Sequence, residues 1–416
     1  MNGLRIALIL LLGCTARAVR GQQMTLAAYR DSVIGYSWQL KSAAANASGA
    51  RETARLRKKE MLPEISASAS AAKTFHEMAG TRLWGFAVKP QVVQTLYGGG
   101  VRAASRKAES DYRSALCDER AAVLDVRYAA DYAYWNVSAM QIFMSAAEEY
   151  VSIIESLYRV VERRFGEGYI AKSDLLQVET RLSDAEYQLE TARRTYAEVL
   201  HAFNSQFGAE LDRAALLAQS ITDTLPLPVR VTVDEMLMRR PDILAAEQRV
   251  QAAEHAVDAV RAAYNPHVSV GAGGSWQTFT SKASGRTYLD AALSVAVSVP
   301  IFGWGARHDA VAAAGSAVRG SRYLLGEARD AAAREEADGW SALASSRAQM
   351  LSSLHNLKIA GENLDISTYS YNEGQATILD VLQAQLSWIQ IYTNAITAQF
   401  NYAVAVAAYE RITAAY

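Results

Sequence analysis

Two aspartates stand at matching places in the chain. Asp174 lies six residues after Gly168, and Asp380 lies six residues after Gly374. Each would open a helix after a glycine turn, where an acid faces the positive end of the helix dipole. Catalytic chemistry has little else to draw on. The six histidines (His76, His201, His255, His267, His308 and His355) are scattered, with no His-x-x-x-His pair. Only two cysteines occur, Cys14 and Cys117, which excludes a disulfide framework and a cysteine zinc cluster. There is no G-x-x-x-x-G-K-[ST], H-E-x-x-H or G-x-S-x-G. Gly98-Gly99-Gly100 could pass for a phosphate loop, but Gly303-Trp304-Gly305 answers it in the second half, which reads both as strand-to-helix turns. No enzyme activity, cofactor or metal is expected.

The elements that must position these residues follow from composition and proline placement. The chain has 416 residues, 42 Lys plus Arg and 43 Asp plus Glu, a net charge of −1. That balance gives no support for nucleic-acid binding driven by charge. With 50% hydrophobic and 20% charged residues the chain is not disordered. Its mean hydropathy of −0.04 is far too polar for a polytopic helical membrane protein. All seven prolines fall at positions 63, 90, 226, 228, 241, 266 and 300. The two proline-free stretches, 91–225 and 301–416, are where long helices can run, because an interior proline costs ~3 kcal/mol. Val123, Val126, Ala130, Tyr134, Val137 and Met140 recur at helical spacing. A helix over 104–165 would reach ~90 Å, which suggests coiled-coil-like packing.

The proline-bearing stretches have period two instead. Leu289, Ala291, Leu293, Val295, Val297 and Val299 alternate with smaller or polar residues. So do Val268, Val270 and Ala272, then Ile65, Ala67 and Ala69, and Trp84, Phe86 and Val88. Four strands in two hairpins are expected, with loops near 76–83 and 280–287. Apolar outer faces and lengths near ten suit a membrane barrel, and equally an antiparallel sheet packed on helices. Residues 1–21 read as a secretory leader, with Arg5 followed by the apolar run Ile6–Leu12, and this favours the barrel. Leu11-Leu12-Gly13-Cys14 resembles a lipobox, which would leave Cys14 lipidated. Ala16-Arg17-Ala18 is a competing A-x-A site, so cleavage before 14, 19 or 22 stays open.

The two halves repeat. Leu62-Pro63-Glu64 answers Asn265-Pro266-His267, and Gly98 answers Gly303. Phe165-x-x-Gly168 with Asp174-Leu175-Leu176-Gln177 answers Tyr371-x-x-Gly374 with Asp380-Val381-Leu382-Gln383. The offsets are 203, 205 and 206 residues. A leader (1–21) is thus followed by a first repeat over 22–208, with strands 64–75 and 84–95 and a helix hairpin 104–165/172–206. A linker over 209–240 precedes a second repeat over 241–416, with strands 267–279 and 288–299 and a hairpin 305–371/377–413.

The repeat and the linker segment Arg239-Arg240-Pro241-Asp242-Ile243-Leu244-Ala245-Ala246-Glu247 carry a resemblance. The chain resembles TolC-type outer-membrane efflux proteins, the outer-membrane factors of resistance-nodulation-division (RND) pumps, over nearly its whole mature length. The resemblance implies a mainly α fold with a transmembrane β-barrel part. Three chains would form a homotrimer in the outer membrane, with a twelve-stranded barrel standing on a helical tunnel in the periplasm. Four strands alone cannot close a barrel, and open edges are not tolerated in lipid, so this count agrees with the strands themselves.

The resemblance implies a passive channel exporting small molecules with a periplasmic adaptor and an inner-membrane transporter, RND type favoured. The exit duct of a type I protein-secretion system has the same fold, and a periplasmic coiled-coil scaffold is an alternative of another class. The resemblance also places Gly168 and Gly374 at the periplasmic hairpin turns and Pro63, Pro266, Gly98 and Gly303 at strand–helix turns. Asp174, Tyr371, Asp380, Ser173 and Gln383 would surround the aperture. Asp380 would form a ring that attracts cations. Gln383 replaces the second acid of strongly gated relatives, and Ala376 replaces an arginine expected opposite Ser173. Asp174 and Tyr371 match the hydrogen-bonded pair that holds the tip shut.

Overall fold

The structure is a computed structural model that describes residues 23–73, 84–223, 225–278 and 288–415. The leader, Cys14 and the two expected strand-connecting loops lie outside these residues. The described chain is mostly helical, with one four-stranded antiparallel sheet. Two helices, α1 (Leu26–Tyr36) and α2 (Trp38–Lys59), precede strands β1 (Glu64–Lys73) and β2 (Trp84–Tyr97). Helices α3 (Val101–Gly166) and α4 (Lys172–Gln206) follow. The second half runs α5 (Val233–Arg239), α6 (Pro241–Ala263), β3 (His267–Gln277), β4 (Tyr288–Ser298), α7 (Ala306–Asn372) and α8 (Ile378–Thr413). No described helix is long and apolar enough to cross a membrane.

Three details depart from the sequence reading. The first repeat opens on two helices rather than one, because the Ser37 side chain accepts from the Leu40 N–H and caps a new helix there. The linker holds a helix, α5, capped by Thr232 in the same way. Strand β2 continues to Tyr97 through an irregularity between Thr95 and Tyr97.

The sheet order is β1-β2-β3-β4, and its register sorts the residues by face. Ile65 pairs with Val92, Val92 with Ala272, and Ala272 with Leu293. Ala69, Val88, Trp276 and Leu289 make a second such row. One face is therefore an apolar ladder. The other carries small or polar residues, in the row Ser66, Gln91, Gly273 and Ala292. Along β4, Leu289, Leu293, Val295 and Val297 are all well exposed.

The chain divides into two compact units. One comprises the chain up to Tyr36 with 127–227 and 343–407. Its core includes a stack of Tyr29 on Phe203, with ring centroids 4.1 Å apart, while the Tyr29 hydroxyl donates to the Phe203 carbonyl at 3.0 Å. Arg30 holds the fully buried Asp131 carboxylate with two hydrogen bonds. Buried Tyr150, Ile154, Leu157 and Val161 on α3 follow a four-three-four spacing, the seam of coiled-coil packing. Gln141 of α3 donates to the Tyr196 hydroxyl of α4 at 3.3 Å, which places these two helices side by side.

The other unit comprises 37–126, 228–342 and 408 onward, and holds the sheet. Buried Met236, Ile243 and Ala332 pack together there. Glu336, 2% exposed, accepts from Arg230 at 3.0 and 3.1 Å and from the Tyr409 hydroxyl at 3.1 Å.

Candidate functional site

The two helix hairpins turn by the same local device. Gly168 has φ +81° and Gly374 has φ +74°, a backbone conformation that favours glycine. The Tyr169 N–H bonds to the Arg164 carbonyl and the Gly168 N–H to Phe165. In the second hairpin Gln375 bonds to Ser370 and Gly374 to Tyr371. Both are Schellman endings, which satisfy the last carbonyls of a helix and reverse the chain.

Beyond the turns the hairpins differ. Thr377 caps α8: its N–H and its hydroxyl both donate to the Asp380 carboxylate, at 2.8 and 2.7 Å, and its hydroxyl accepts from the Asp380 N–H at 3.4 Å. This reciprocal pair is a capping box. The Thr377 bonds, side chain first and then backbone, hold the Asp380 carboxyl below its ordinary range. It stays exposed and ionised. At the equivalent place α4 begins after Ala171, which offers no side-chain cap. The half-buried Asp174 there accepts from the adjacent Ser173 hydroxyl at 3.2 Å.

Tyr371 is buried at the end of α7, 6% exposed, and its neighbour was not foreseen from the sequence. The Arg164 guanidinium from the last turn of α3 lies over the Tyr371 ring, 4.8 Å from the centroid. It also donates to the Asn372 carbonyl at 3.2 Å and to the Tyr371 carbonyl at 3.5 Å. A cation on the negative end of a helix and above a ring gains twice. Within the chain Tyr371 and Asp174 are not hydrogen-bonded to each other; the side chain that meets the Tyr371 ring is Arg164. The signal for it was present in Arg163-Arg164 just before a glycine turn, but its partner on α7 is 207 positions away.

Gln383 follows Asp380 by one turn of α8. It lines a groove of about 400 Å³ between α4 and α8 with Leu176, Arg181, Asp184 and Leu379. Of the strand–helix turn residues, the structure brings Gly98 and Pro266 together. A Cβ on Gly98 would stand 2.4 Å from the Pro266 carbonyl oxygen, and the residue has φ +96°. In the second repeat the left-handed residues are Trp304 and Gly305, not Gly303, whose carbonyl accepts from the Ala306 N–H. Pro63 directly precedes β1. Among the described residues no group of three or more His, Cys, Asp or Glu could hold a metal.

Residues 30–209 and 232–415 match the outer membrane efflux protein family, and the chain belongs to that family. It is 26% identical over 297 residues to the outer membrane efflux protein BepC of Brucella suis, covering 69% of this chain and 62% of that protein. It is 24% identical over 241 residues to the probable efflux pump outer membrane protein TtgC of Pseudomonas putida, covering 56% of this chain and 50% of that protein. The matches therefore span between half and two thirds of those relatives' length. The fold is that of the outer membrane protein VceC of Vibrio cholerae, with a TM-score of 0.79, 21% identity, and 93% and 95% of the two chains covered. The family is one of outer-membrane efflux proteins and places the chain in the outer membrane.

Proposed function

We propose that the chain is one subunit of a trimeric, passive outer-membrane channel that exports small molecules. The observation that carries this is the sheet, which has four strands, two open edges at β1 and β4, and one mainly apolar face. Unpaired edges are costly in lipid, so β4 of one copy closes on β1 of the next, and three copies make a barrel wide enough for a pore. The small and polar face lines that pore. The chain catalyses nothing and needs no cofactor; an inner-membrane transporter of RND type, joined through a periplasmic adaptor, supplies the energy. Asp174, Asp380, Tyr371 and Arg164 form the periplasmic aperture, where three Asp380 carboxylates make a cation-preferring ring.

The test is assembly and conduction. Purified protein in detergent is expected to run as a heat-labile trimer and to conduct ions in planar bilayers. A monodisperse monomer that leaves bilayers silent would end this reading. Copurification with an adaptor and an RND transporter, rather than an ABC exporter, identifies the machinery.

A further inference from the structure

The end of α2 is far more basic than its place in the fold requires. Residues 51–60 carry Arg51, Arg55, Arg57, Lys58 and Lys59 against Glu52 and Glu60, and all seven are exposed. The equivalent end of α6, residues 254–263, carries Arg261 against Glu254 and Asp258. Helix α2 ends five residues before β1 and α6 four residues before β3, and both satisfy the helix dipole with a cation in the last turn. Only α2 adds four more. Arg55 and Arg57 are shared with Glu52 and Glu60 at 2.6 and 2.7 Å, which leaves the surplus on Arg51, Lys58 and Lys59.

The surroundings of that surplus suit an amphiphile. Lys58 and Lys59 border a hollow of about 590 Å³ whose walls include Met61 and Leu62. Leu62 is 62% exposed, and Ile65, 80% exposed, continues the apolar surface onto β1. A second hollow of about 380 Å³ next to it carries Arg102 and Arg106 with Tyr97 and Met61. Arg102 and Arg106 are exposed as well. Cations thus stand at the helical end of the strands, and an apolar surface leads from them along the sheet.

We infer that the end of α2, with Arg102 and Arg106 of α3, is a binding site for the phosphate of an anionic phospholipid in the membrane leaflet at the helical end of the sheet. The inference rests on the channel reading, which puts the strands in lipid. The phosphate sits between Lys58, Lys59 and the two arginines, and the acyl chains lie along Leu62 and Ile65. Cations just outside a bilayer each strengthen binding to an anionic surface, and salt weakens it. The second repeat, with Arg307 at the place of Arg102, lacks the surplus, so each chain holds one such site.

The experiment reconstitutes the full chain into vesicles of equal phosphatidylglycerol and phosphatidylcholine, extracts it in mild detergent, and counts the retained lipids by native mass spectrometry. Phosphatidylglycerol is expected to be enriched on the trimer. Lys58→Gln and Lys59→Gln should each cut that enrichment about fivefold. Arg307→Gln should leave it as it was, and raising salt during extraction should erase it. Inserted protein without a phosphatidylglycerol preference, or with a preference untouched by both lysine changes, would overturn the site while leaving the channel standing. Loss of the trimer in the lysine variants with lipid preference intact would assign the patch to the subunit interface and overturn the site too. Protein that never enters the vesicles would overturn the channel reading first, and the site with it.

Discussion

At the scale of single residues, the proposed aperture rests on Arg164, Tyr371 and Asp380, which would act by different means. Arg164 holds a ring and two terminal carbonyls, so Arg164→Met removes the cation while keeping most of the volume. Each lost hydrogen bond is worth ~1 kcal/mol, so the open state is expected to gain at least fivefold in single-channel recordings. Tyr371→Phe keeps the ring beneath the guanidinium and should change conductance less; a larger effect from Tyr371→Phe would show that the hydroxyl, not the cation, is the latch. Asp380→Asn should lower cation preference without opening the tip, because it removes ring charge. Since Thr377 holds the Asp380 carboxyl below its ordinary range, the preference of the unmodified channel should persist to lower pH than a free carboxylate would allow. Reversal potentials titrated downward in pH check this, and loss of preference in the usual carboxylate range would remove Asp380 from the ring. The paired aspartates and glycines were legible in the sequence because they repeat at one spacing. Arg164 was not, because its role depends on which helix end lies beside it, and no local pattern encodes that.

At the scale of elements, the strands were the most readable part of the chain. Alternation places Leu289, Leu293 and Val295 on one face, and the cross-strand rows align Leu289 with Val88 and Leu293 with Val92 and Ile65. The sequence leaves open whether such a face meets lipid or helices, since period two is the same in both. A single pair of substitutions separates them. Leu293→Arg puts a charge in the apolar row and is expected to cost ~2–4 kcal/mol near the bilayer midplane. Ser294 bonds to the Gly271 carbonyl on the opposite face, so Ser294→Arg should assemble far better. Trimer yield after heating to graded temperatures reads the difference; a lower yield for Ser294→Arg would mean the faces are reversed, and equal yields that the sheet is not in lipid. The break between α1 and α2 at Ser37 and the short helix α5 were missed because a single capping side chain decides each, inside stretches whose composition permits a helix or a loop.

At the scale of the whole molecule, the 209–240 linker is fastened at Arg230 rather than loose. Arg230 reaches a carboxylate of α7, Glu336, which also receives the Tyr409 hydroxyl from α8. Arg230→Met would strand a buried acid, with an expected loss of about 1–3 kcal/mol in thermal denaturation. The Arg230 bonds hold the Glu336 carboxyl below its ordinary range. Its contribution is therefore complete above the unfolded glutamate pKa and fades as pH falls through the lower folded value. The difference between Arg230→Met and the unmodified protein should shrink only in acid, and a difference constant down to strong acid would assign the loss to packing. The repeat itself was plain in the sequence, yet its halves are not mechanical equals. The box of Thr377 and Asp380 secures the first turn of α8, while Ala171 leaves that of α4 without a side-chain cap. Amide hydrogen exchange should accordingly be faster over 172–174 than over 378–380, and equal rates would deny the asymmetry. Duplication followed by such drift has a geometric result. The proposed trimer would present six hairpin ends around its axis, with and without a side-chain cap in turn. Any six-membered collar that grips them must therefore meet two kinds of site in strict alternation.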